Sequence, residues 1–188
     1  MKRRRRRTVR SMTDSFRKAE EYDLPELLEV YEQARAFMRE NGNPSQWAEG
    51  GYPPRELIEE DVKLGRLTVL VRGGRVVGAF VLAEGEEPTY RVIEGDWGSE
   101  RPYLTLHRIA SLTDEHGVGS AIIGRSAELA KERGLDLRID THEANSPMLH
   151  VIKKHGFSYC GVIYVRGGSK RLAFRLGRET DENCPQKL

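Results

Sequence analysis

One segment in the middle of the chain constrains the fold more than any other. A nearly continuous apolar run, Tyr103 to Ser111, is followed by a polar loop, by Gly117 and Gly119, and by a stretch with helical periodicity. The apolar run predicts a strand buried on both faces, and the glycines predict a tight turn into a helix. Such a turn directs free backbone N–H groups and the positive end of a helix dipole to one point, which favours a bound phosphate. A glycine-rich helix start without a ligand is the alternative.

Two common phosphate motifs are excluded. The dinucleotide-binding fingerprint requires a third glycine where this chain has Ile122. The P-loop requires a Gly-Lys-Ser/Thr sequence, which is absent. If a phosphate binds at this turn, it is therefore held by neither of these two motifs.

Hydrophobic periodicity and turn residues predict the other elements. Asp23 is expected to cap the first helix, with Glu26 completing a capping box, and Leu64 is expected to be buried by the second helix. Residues 84–101 are polar and carry no clear prediction. The predicted helices are 24–40, 53–65, 117–134 and 145–155, and the predicted strands are 15–20, 66–72, 75–83, 103–111, 135–139, 157–165 and 170–176.

This order of elements predicts an α/β or α+β fold. We expect a mixed central sheet of about seven strands with helices on both faces. The strand-helix-strand unit from Tyr103 to Thr141 should contain two parallel strands.

Composition limits the class of protein. The chain has 188 residues, enough for one domain with a sizeable core, and no run approaches the roughly 18 to 20 apolar residues of a membrane span. Its two cysteines support neither a disulfide scaffold nor a Cys-x-x-Cys metal site. We therefore expect a cytoplasmic protein without a metal. Its single domain would span 14–176, between a basic arm at 1–13 and a flexible tail at 177–188.

The basic arm is a separate feature. The first ten residues contain seven lysines and arginines and no acid, so the rest of the chain has 24 basic against 29 acidic residues. Such an arm can bind nucleic acid or an anionic membrane. A solvated tail, or a protein that starts at Met12, explains the arm equally and is the interpretation we favour. No membrane partner is expected, and nucleic acid only through this arm.

The central segment resembles the coenzyme A-binding motif of the GNAT superfamily of N-acetyltransferases, Gln/Arg-x-x-Gly-x-Gly/Ala. Asp114-Glu115-His116-Gly117-Val118-Gly119 matches it at both glycines and departs from it at the first position. Asn145 opens a helix that ends in Gly156-Phe157, as in the family. The resemblance extends over residues 14–176 and includes the order of elements. It implies a sheet that splays beside the Tyr103–Ser111 strand, with the co-substrate acetyl-CoA in the gap.

The resemblance also implies roles for individual residues. Backbone groups of Ile109, Ala110 and Ser111 would pair with the pantetheine arm, the turn of His116, Gly117, Val118, Gly119 and Ser120 would hold the pyrophosphate, and Asn145 would reach the thioester end. Two positions depart from the family pattern. Asp114 would repel a pyrophosphate unless its side chain turns outward, and Ile152 stands where many members carry a general-acid tyrosine.

Acetyl transfer to an amine needs a base that takes a proton from the ammonium group. Histidine titrates near neutral pH, and His142 with Glu143 follows the end of a strand, where ligands of such sheets bind. This pair is the favoured base, His107 is the second candidate, and Glu115 and Tyr103 are further possible bases. Tyr159 is the candidate acid, with Cys160 and Tyr164 as further candidates. The alternative for each of these side chains is an ordinary structural role.

Aromatic residues in or beside loops, Trp47, Tyr52, Tyr90 and Tyr103, are candidates to contact the acceptor or to pack against helices. The sequence thus predicts an N-acetyltransferase that moves the acetyl group directly to a primary amine of a small molecule or peptide. A non-catalytic acyl-CoA-binding or regulatory module is one alternative, and a nucleic-acid-associated protein that acts through the basic arm is the other. A homodimer is left open.

Overall fold

The computed structural model describes residues 14–47 and 50–177, so the basic arm, the tail beyond Gly177 and Cys184 lie outside the described residues. The strands are β1 Ser15–Lys18, β2 Leu67–Arg72, β3 Arg75–Glu84, β4 Ile93–Gly95, β5 Tyr103–Ser111, β6 Asp136–Thr141, β7 Ser158–Val165 and β8 Ser169–Leu176. The helices are α1 Leu24–Glu40, α2 Arg55–Lys63, α3 Val118–Arg133 and α4 Ser146–Lys154, and short 3-10 turns occupy Glu21–Asp23, Pro88–Tyr90 and Arg166–Gly168.

The strands form one mixed sheet in the order β1-β2-β3-β5-β6-β8-β7-β4. β5 and β6 are parallel, as predicted, and the other neighbouring strands are antiparallel. Helix α1 packs against α2, β3 and β5, whereas α3 packs against α4, β3, β5 and β6. Helices therefore cover both faces of the sheet, and the predicted mixed α/β fold is confirmed.

The sheet has eight strands rather than the predicted seven. The additional strand, β4, pairs with β7 at one edge, where Gly95 lies opposite Gly161. A Cβ atom on either glycine would collide with the backbone of the other strand, so this pair allows the two strands to approach. A strand of three residues in a polar segment has too short a pattern to be predicted.

Two local predictions are wrong. Asp23 does not cap α1, because its carboxylate accepts hydrogen bonds from the Arg17 guanidinium and from the backbone N–H of Glu20. Leu64 is 51% exposed, because α2 ends at Lys63 and the next residue leaves the buried helix face.

β5 and β6 are paired over only part of their length. Their parallel pairing ends at Leu106 and Ile139, although β5 continues to Ser111 and stays paired with β3. The register between β3 and β5 shifts just beyond this point, and Arg108 has a φ of 52°, in the left-handed region that non-glycine residues rarely adopt. The edge of β5 from His107 onward therefore faces a gap in the sheet.

Candidate functional site

The turn that leads into α3, which we call the α3 turn (residues 114–120), is open to a ligand. Gly117 precedes the helix with a φ of 77°, and no side chain caps the first helical turn. A Cβ atom at Gly117 or Gly119 would have no neighbour within 4 Å. Because the first N–H groups of a helix have no partner within it and carry partial positive charge, this turn can hold an anionic group.

Asp114 does not crowd the helix start. Its side chain is 66% exposed, and one carboxylate oxygen lies 3.6 Å from Arg75 on the β2–β3 hairpin. On the other side of the turn, Ser120 Oγ lies 2.8 Å from Nε2 of His155 at the end of α4. Burial, with a smaller contribution from the charge of Lys154, lowers the pKa of His155. Asp114 and Ser120, at the two ends of the α3 turn, thus direct their side chains to residues outside the turn.

The residues predicted to bind the pantetheine arm lie along the gap. Ile109, Ala110 and Ser111 belong to the part of β5 that is not paired with β6. Asn145 caps α4, where its Oδ1 accepts a hydrogen bond from the Met148 N–H at 3.3 Å. Its Nδ2 donates to Gln46 at 3.1 Å and so connects α4 with the loop between α1 and α2. The contact of Asn145 with the co-substrate stays a prediction.

His107 is the candidate base that lies beside a carboxylate. Its Nε2 is 3.3 Å from Oε2 of Glu87. Glu87 also accepts hydrogen bonds from the backbone N–H and the hydroxyl of Thr89. The contact with His107 and these bonds outweigh burial and lower the pKa of Glu87 to about 2. A group that is ionised throughout the neutral range can orient the imidazole and stabilise its protonated form.

Tyr90 and Asp140 form a second pair next to His107. The Tyr90 hydroxyl donates to Asp140 Oδ1 at 2.7 Å, and the rings of Tyr90 and His107 have centroids 6.3 Å apart. Burial raises the pKa of Asp140, while the hydrogen bond from Tyr90 and the charges of His107 and Arg171 oppose the rise. Burial and the charge of Asp140 raise the pKa of Tyr90, so its hydroxyl stays a donor.

His107 and Asp140 lie on the same face of the sheet, at the mouth of the gap. They follow Leu106 and Ile139, which are direct partners in the β5–β6 register. Because successive residues of a strand alternate between faces, the two side chains that follow a matched pair share the opposite face. The gap therefore opens between a histidine and a half-buried carboxyl group.

Tyr159 is not part of this group. Its ring contacts that of Phe174 at a centroid distance of 5.7 Å, and Phe174 pairs in register with both Tyr159 and Ile139. Tyr159 thus lies on the face opposite Asp140. Since β8 separates β7 from β6, β7 is about 10 Å from β6. The geometry gives no support to Tyr159 as the acid. Of the further candidates on this strand, Cys160 packs with Tyr90 and Trp97, and the Tyr164 hydroxyl donates to Glu94.

The base pair favoured from the sequence lies in the turn between β6 and α4. His142 Nδ1 accepts a hydrogen bond from the Ala144 N–H at 3.1 Å, and Glu143 is exposed. Because Nδ1 accepts this bond, the neutral ring carries its proton on Nε2, and His142 has no free nitrogen to take a proton in this conformation. The structure does not bring these two residues together with His107.

Two of the predicted acceptor-contacting residues lie beside the bulge in β5. The Trp47 ring contacts the rings of Tyr31 and Tyr52, each at a centroid distance of 6.1 Å. Arg108 Nη1 donates to the Tyr52 hydroxyl at 3.2 Å, and Nη2 lies 2.9 Å from a carboxylate oxygen of the buried Asp61. Tyr52 thus contacts Arg108, the residue that follows His107, and Trp47 packs against the ring of Tyr52.

Tyr103 lies elsewhere, at the start of β5. Its ring stacks on that of Tyr90 and lies 3.9 Å from the Arg138 guanidinium carbon. With Trp97 it lines a cavity of about 660 Å³ beside the segment between β3 and β5. Tyr90 stands between this cavity and His107, because its ring contacts those of both Tyr103 and His107. Tyr103 is therefore separated from Trp47 and Tyr52.

Comparison with known proteins agrees with the fold. The family described as the acetyltransferase (GNAT) family matches residues 24–157. The chain belongs to the GNAT family of acetyltransferases. A GNAT acetyltransferase from Streptococcus agalactiae is 31% identical, with a TM-score of 0.75 over 88% of this chain and 96% of that chain. A search of the curated proteins found no match.

Two further structures share the fold of this GNAT acetyltransferase. One is a GNAT family acetyltransferase from Listeria monocytogenes, with 17% identity and a TM-score of 0.64 over 87% of this chain and 95% of that chain. The other is a ribosomal-protein-alanine N-acetyltransferase from Brucella melitensis, with 21% identity and a TM-score of 0.59 over 87% and 99% of the two chains. The family confirms the predicted acyltransferase class.

In the described part of the acetyltransferase, none of the helices has the length and apolar composition of a membrane span. No group of three or more His, Cys, Asp or Glu side chains there is placed to hold a metal ion.

Sequence reasoning missed Glu87 and Asp140. Glu87 lies in a polar segment without periodicity, and nothing local indicates that it meets His107. Asp140 did carry a signal. It follows Leu135, Leu137 and Ile139, whose alternation assigns it to the other face of the strand, in a strand buried between two others. A buried strand position with a carboxylate indicates a specific partner.

Proposed function

We propose that this GNAT acetyltransferase moves an acetyl group from acetyl-CoA to a primary amine in one step, without a covalent enzyme intermediate. The proposal is supported by one combination: the gap between β5 and β6, and the uncapped α3 turn at the end of the same β5 strand. An extended ligand with a diphosphate at one end suits both features. The helix start favours the diphosphate, and the free strand edge favours an arm that contains amide groups.

The co-substrate would be held mainly by the backbone. N–H groups of residues 116–120 would bind the diphosphate, and backbone groups of residues 109–111 would pair with the pantetheine amides. Asn145 would border the thioester end, where it already connects α4 with Gln46. This arrangement would bring the acetyl carbon next to His107 and Asp140 at the mouth of the gap.

His107 is the proposed general base. It would take a proton from the acceptor ammonium, and Glu87 would stabilise the resulting imidazolium. The amine nitrogen then forms a bond to the acetyl carbon, the carbon–sulfur bond breaks, and the sulfur leaves with the bonding electrons. The nitrogen loses its second proton to solvent as the neutral amide forms. Ile152, which is buried at the position of the family's tyrosine, has no proton to give. The thiolate would therefore take its proton from solvent.

Trp47 and Tyr52 are proposed to contact the acceptor. They lie beside the bulge that follows His107, on a loop between two helices. A screen of acceptors should cover small primary amines, amino acids and short peptides. A peptide with an N-terminal alanine belongs in the screen, because the Brucella neighbour is a ribosomal-protein-alanine N-acetyltransferase.

The test is calorimetry of acetyl-CoA binding to the wild type, Gly119→Asp and Gly119→Ala. Both substitutions have space, since nothing lies within 4 Å of a Cβ at this position, so both variants should fold. We expect the aspartate to abolish binding by placing a charge at the diphosphate site, and the alanine to retain most of it. Equal binding by Gly119→Asp would overturn the assignment of the α3 turn. Binding without turnover of any amine would favour the non-catalytic acyl-CoA-binding module.

A further inference from the structure

The first position of the coenzyme A-binding motif carries the acid Asp114, and a cation reaches the α3 turn from another part of the chain. Arg72 is the last residue of β2. Its Nη1 donates to Glu115 Oε2 at 2.8 Å and to the backbone carbonyl of His116 at 3.1 Å. A single guanidinium group thus contacts both the charge and the backbone of the turn.

Arg72 is also fixed from its other side. Its Nε and Nη2 donate to the two carboxylate oxygens of Asp14 at 2.7 and 2.9 Å. These bonds and the one to Glu115 raise the pKa of Arg72, and the bond to Arg72 lowers the pKa of Asp14. The Arg72 side chain is only 18% exposed. Such a bidentate, partly buried pair holds the guanidinium in one orientation.

These contacts act on the groups that would bind a phosphate. A backbone carbonyl that faces an anion opposes its binding, and the bond from Arg72 keeps the His116 carbonyl engaged elsewhere. The same guanidinium offsets the negative charge of Glu115. We propose that Arg72 is a positioning residue for the diphosphate of acetyl-CoA, which engages the His116 carbonyl and offsets the charge of Glu115. This inference rests on the proposed function.

The test compares Arg72→Gln with Arg75→Gln, a matched control that removes the same charge from the same hairpin. Arg75 lies 3.2 Å from Glu29 and 3.6 Å from Asp114, and its contacts with the turn do not include the backbone. We expect the Kd for acetyl-CoA to rise about tenfold in Arg72→Gln and less than about twofold in Arg75→Gln. Arg72→Lys, which keeps the charge and loses the bidentate geometry, should lie between them.

A second ligand separates positioning from general damage. S-acetyl-pantetheine lacks the phosphates, so its Kd should be the same for the wild type and for Arg72→Gln. An equal loss with both ligands, or an equal loss in Arg75→Gln, would overturn the inference. The inference would also be overturned if Arg72→Gln bound acetyl-CoA as tightly as the wild type does. Failure of the wild type itself to bind acetyl-CoA would overturn the proposed function and this inference together.

Discussion

His107 and Glu87 meet at the point where β5 separates from β6, with the imidazole Nε2 3.3 Å from a carboxylate oxygen. One residue belongs to a buried strand and the other to a polar segment beyond the end of β3. Their contact distinguishes His107 from His142, whose Nδ1 is bound to the backbone. Of the two candidate bases, His107 alone lies beside a group that can stabilise its protonated form.

The first prediction concerns these two histidines. His107→Gln should lower kcat about 100- to 1000-fold, because general-base catalysis contributes on this order, and should leave the Kd for acetyl-CoA unchanged. His142→Ala should change kcat by less than about threefold. The measurement is steady-state kinetics with the amine found in the acceptor screen. A larger loss in His142→Ala than in His107→Gln would assign the base to the turn after β6.

A second prediction concerns Glu87 and acid stability. Its pKa falls from 4.5 to about 2 in the folded chain, so its ionised form stabilises the fold. This contribution is complete above about pH 4.5 and is lost as the pH falls toward 2. Glu87→Gln should therefore lower the free energy of unfolding by roughly 1–2 kcal/mol at pH 6, and by less at pH 3. Urea unfolding at both pH values measures the difference, and an equal effect at both would contradict the assignment.

A third prediction concerns the backbone of Arg108. Its φ of 52° suits glycine better than any residue with a Cβ atom, so Arg108→Gly should be more stable than Arg108→Ala by about 1 kcal/mol. Both variants remove the nearer of the two arginines beside the buried Asp61 and leave Arg66 at 3.8 Å, at a common cost of about 3 kcal/mol. Urea unfolding of the two variants gives their order. If alanine were the more stable, the left-handed conformation at this position would be wrong.

Asp61 explains why that common cost is large. Arg108 Nη2 approaches one oxygen to 2.9 Å, yet neither carboxylate oxygen makes a hydrogen bond of normal geometry with the described residues. The attraction is therefore mainly between charges, and burial raises the pKa of Asp61 against it. Asp61→Asn combined with Arg108→Gly should recover part of the loss, because no buried charge then remains.

A fourth prediction tests direct transfer. Cys160 is buried on β7, with Sγ 3.8 Å from the Trp97 carbonyl, and β8 separates it from β6. Cys160→Ala should keep kcat within about twofold and cost about 1 kcal/mol of stability through the small cavity it leaves. Initial rates with both substrates varied should give intersecting double-reciprocal lines. Parallel lines, or an inactive Cys160→Ala variant, would instead indicate a covalent acetyl-enzyme.

Local signals explain what could be predicted from the sequence. β5, the α3 turn and α3 each have their own pattern of apolar residues and glycines, so their positions and the parallel β5–β6 unit were predicted correctly. β4 was missed because its pairing depends on two facing glycines, Gly95 and Gly161, in different segments.

Contacts between distant segments could not be predicted. His107 was identified from its residue type and its place on a strand. Glu87 was not, because its position depends on the path of the chain between β3 and β5. Likewise, the sequence shows the acid at Asp114 and not the approach of Arg72 from the end of β2, which depends on how the hairpin packs beside α3.

The gap between β5 and β6 also gives the sheet two free edges in its interior. Amide groups of β5 beyond Leu106 alternate between the side of β3, where they are bonded, and the side of the gap. Along β5 beyond Leu106, amides that face β3 should therefore exchange slowly, and amides that face the gap should exchange fast. When an acyl donor fills the gap, the fast amides should become protected. By the proposed function, the donor would then act as an additional strand, and the sheet would be complete only while the ligand is bound.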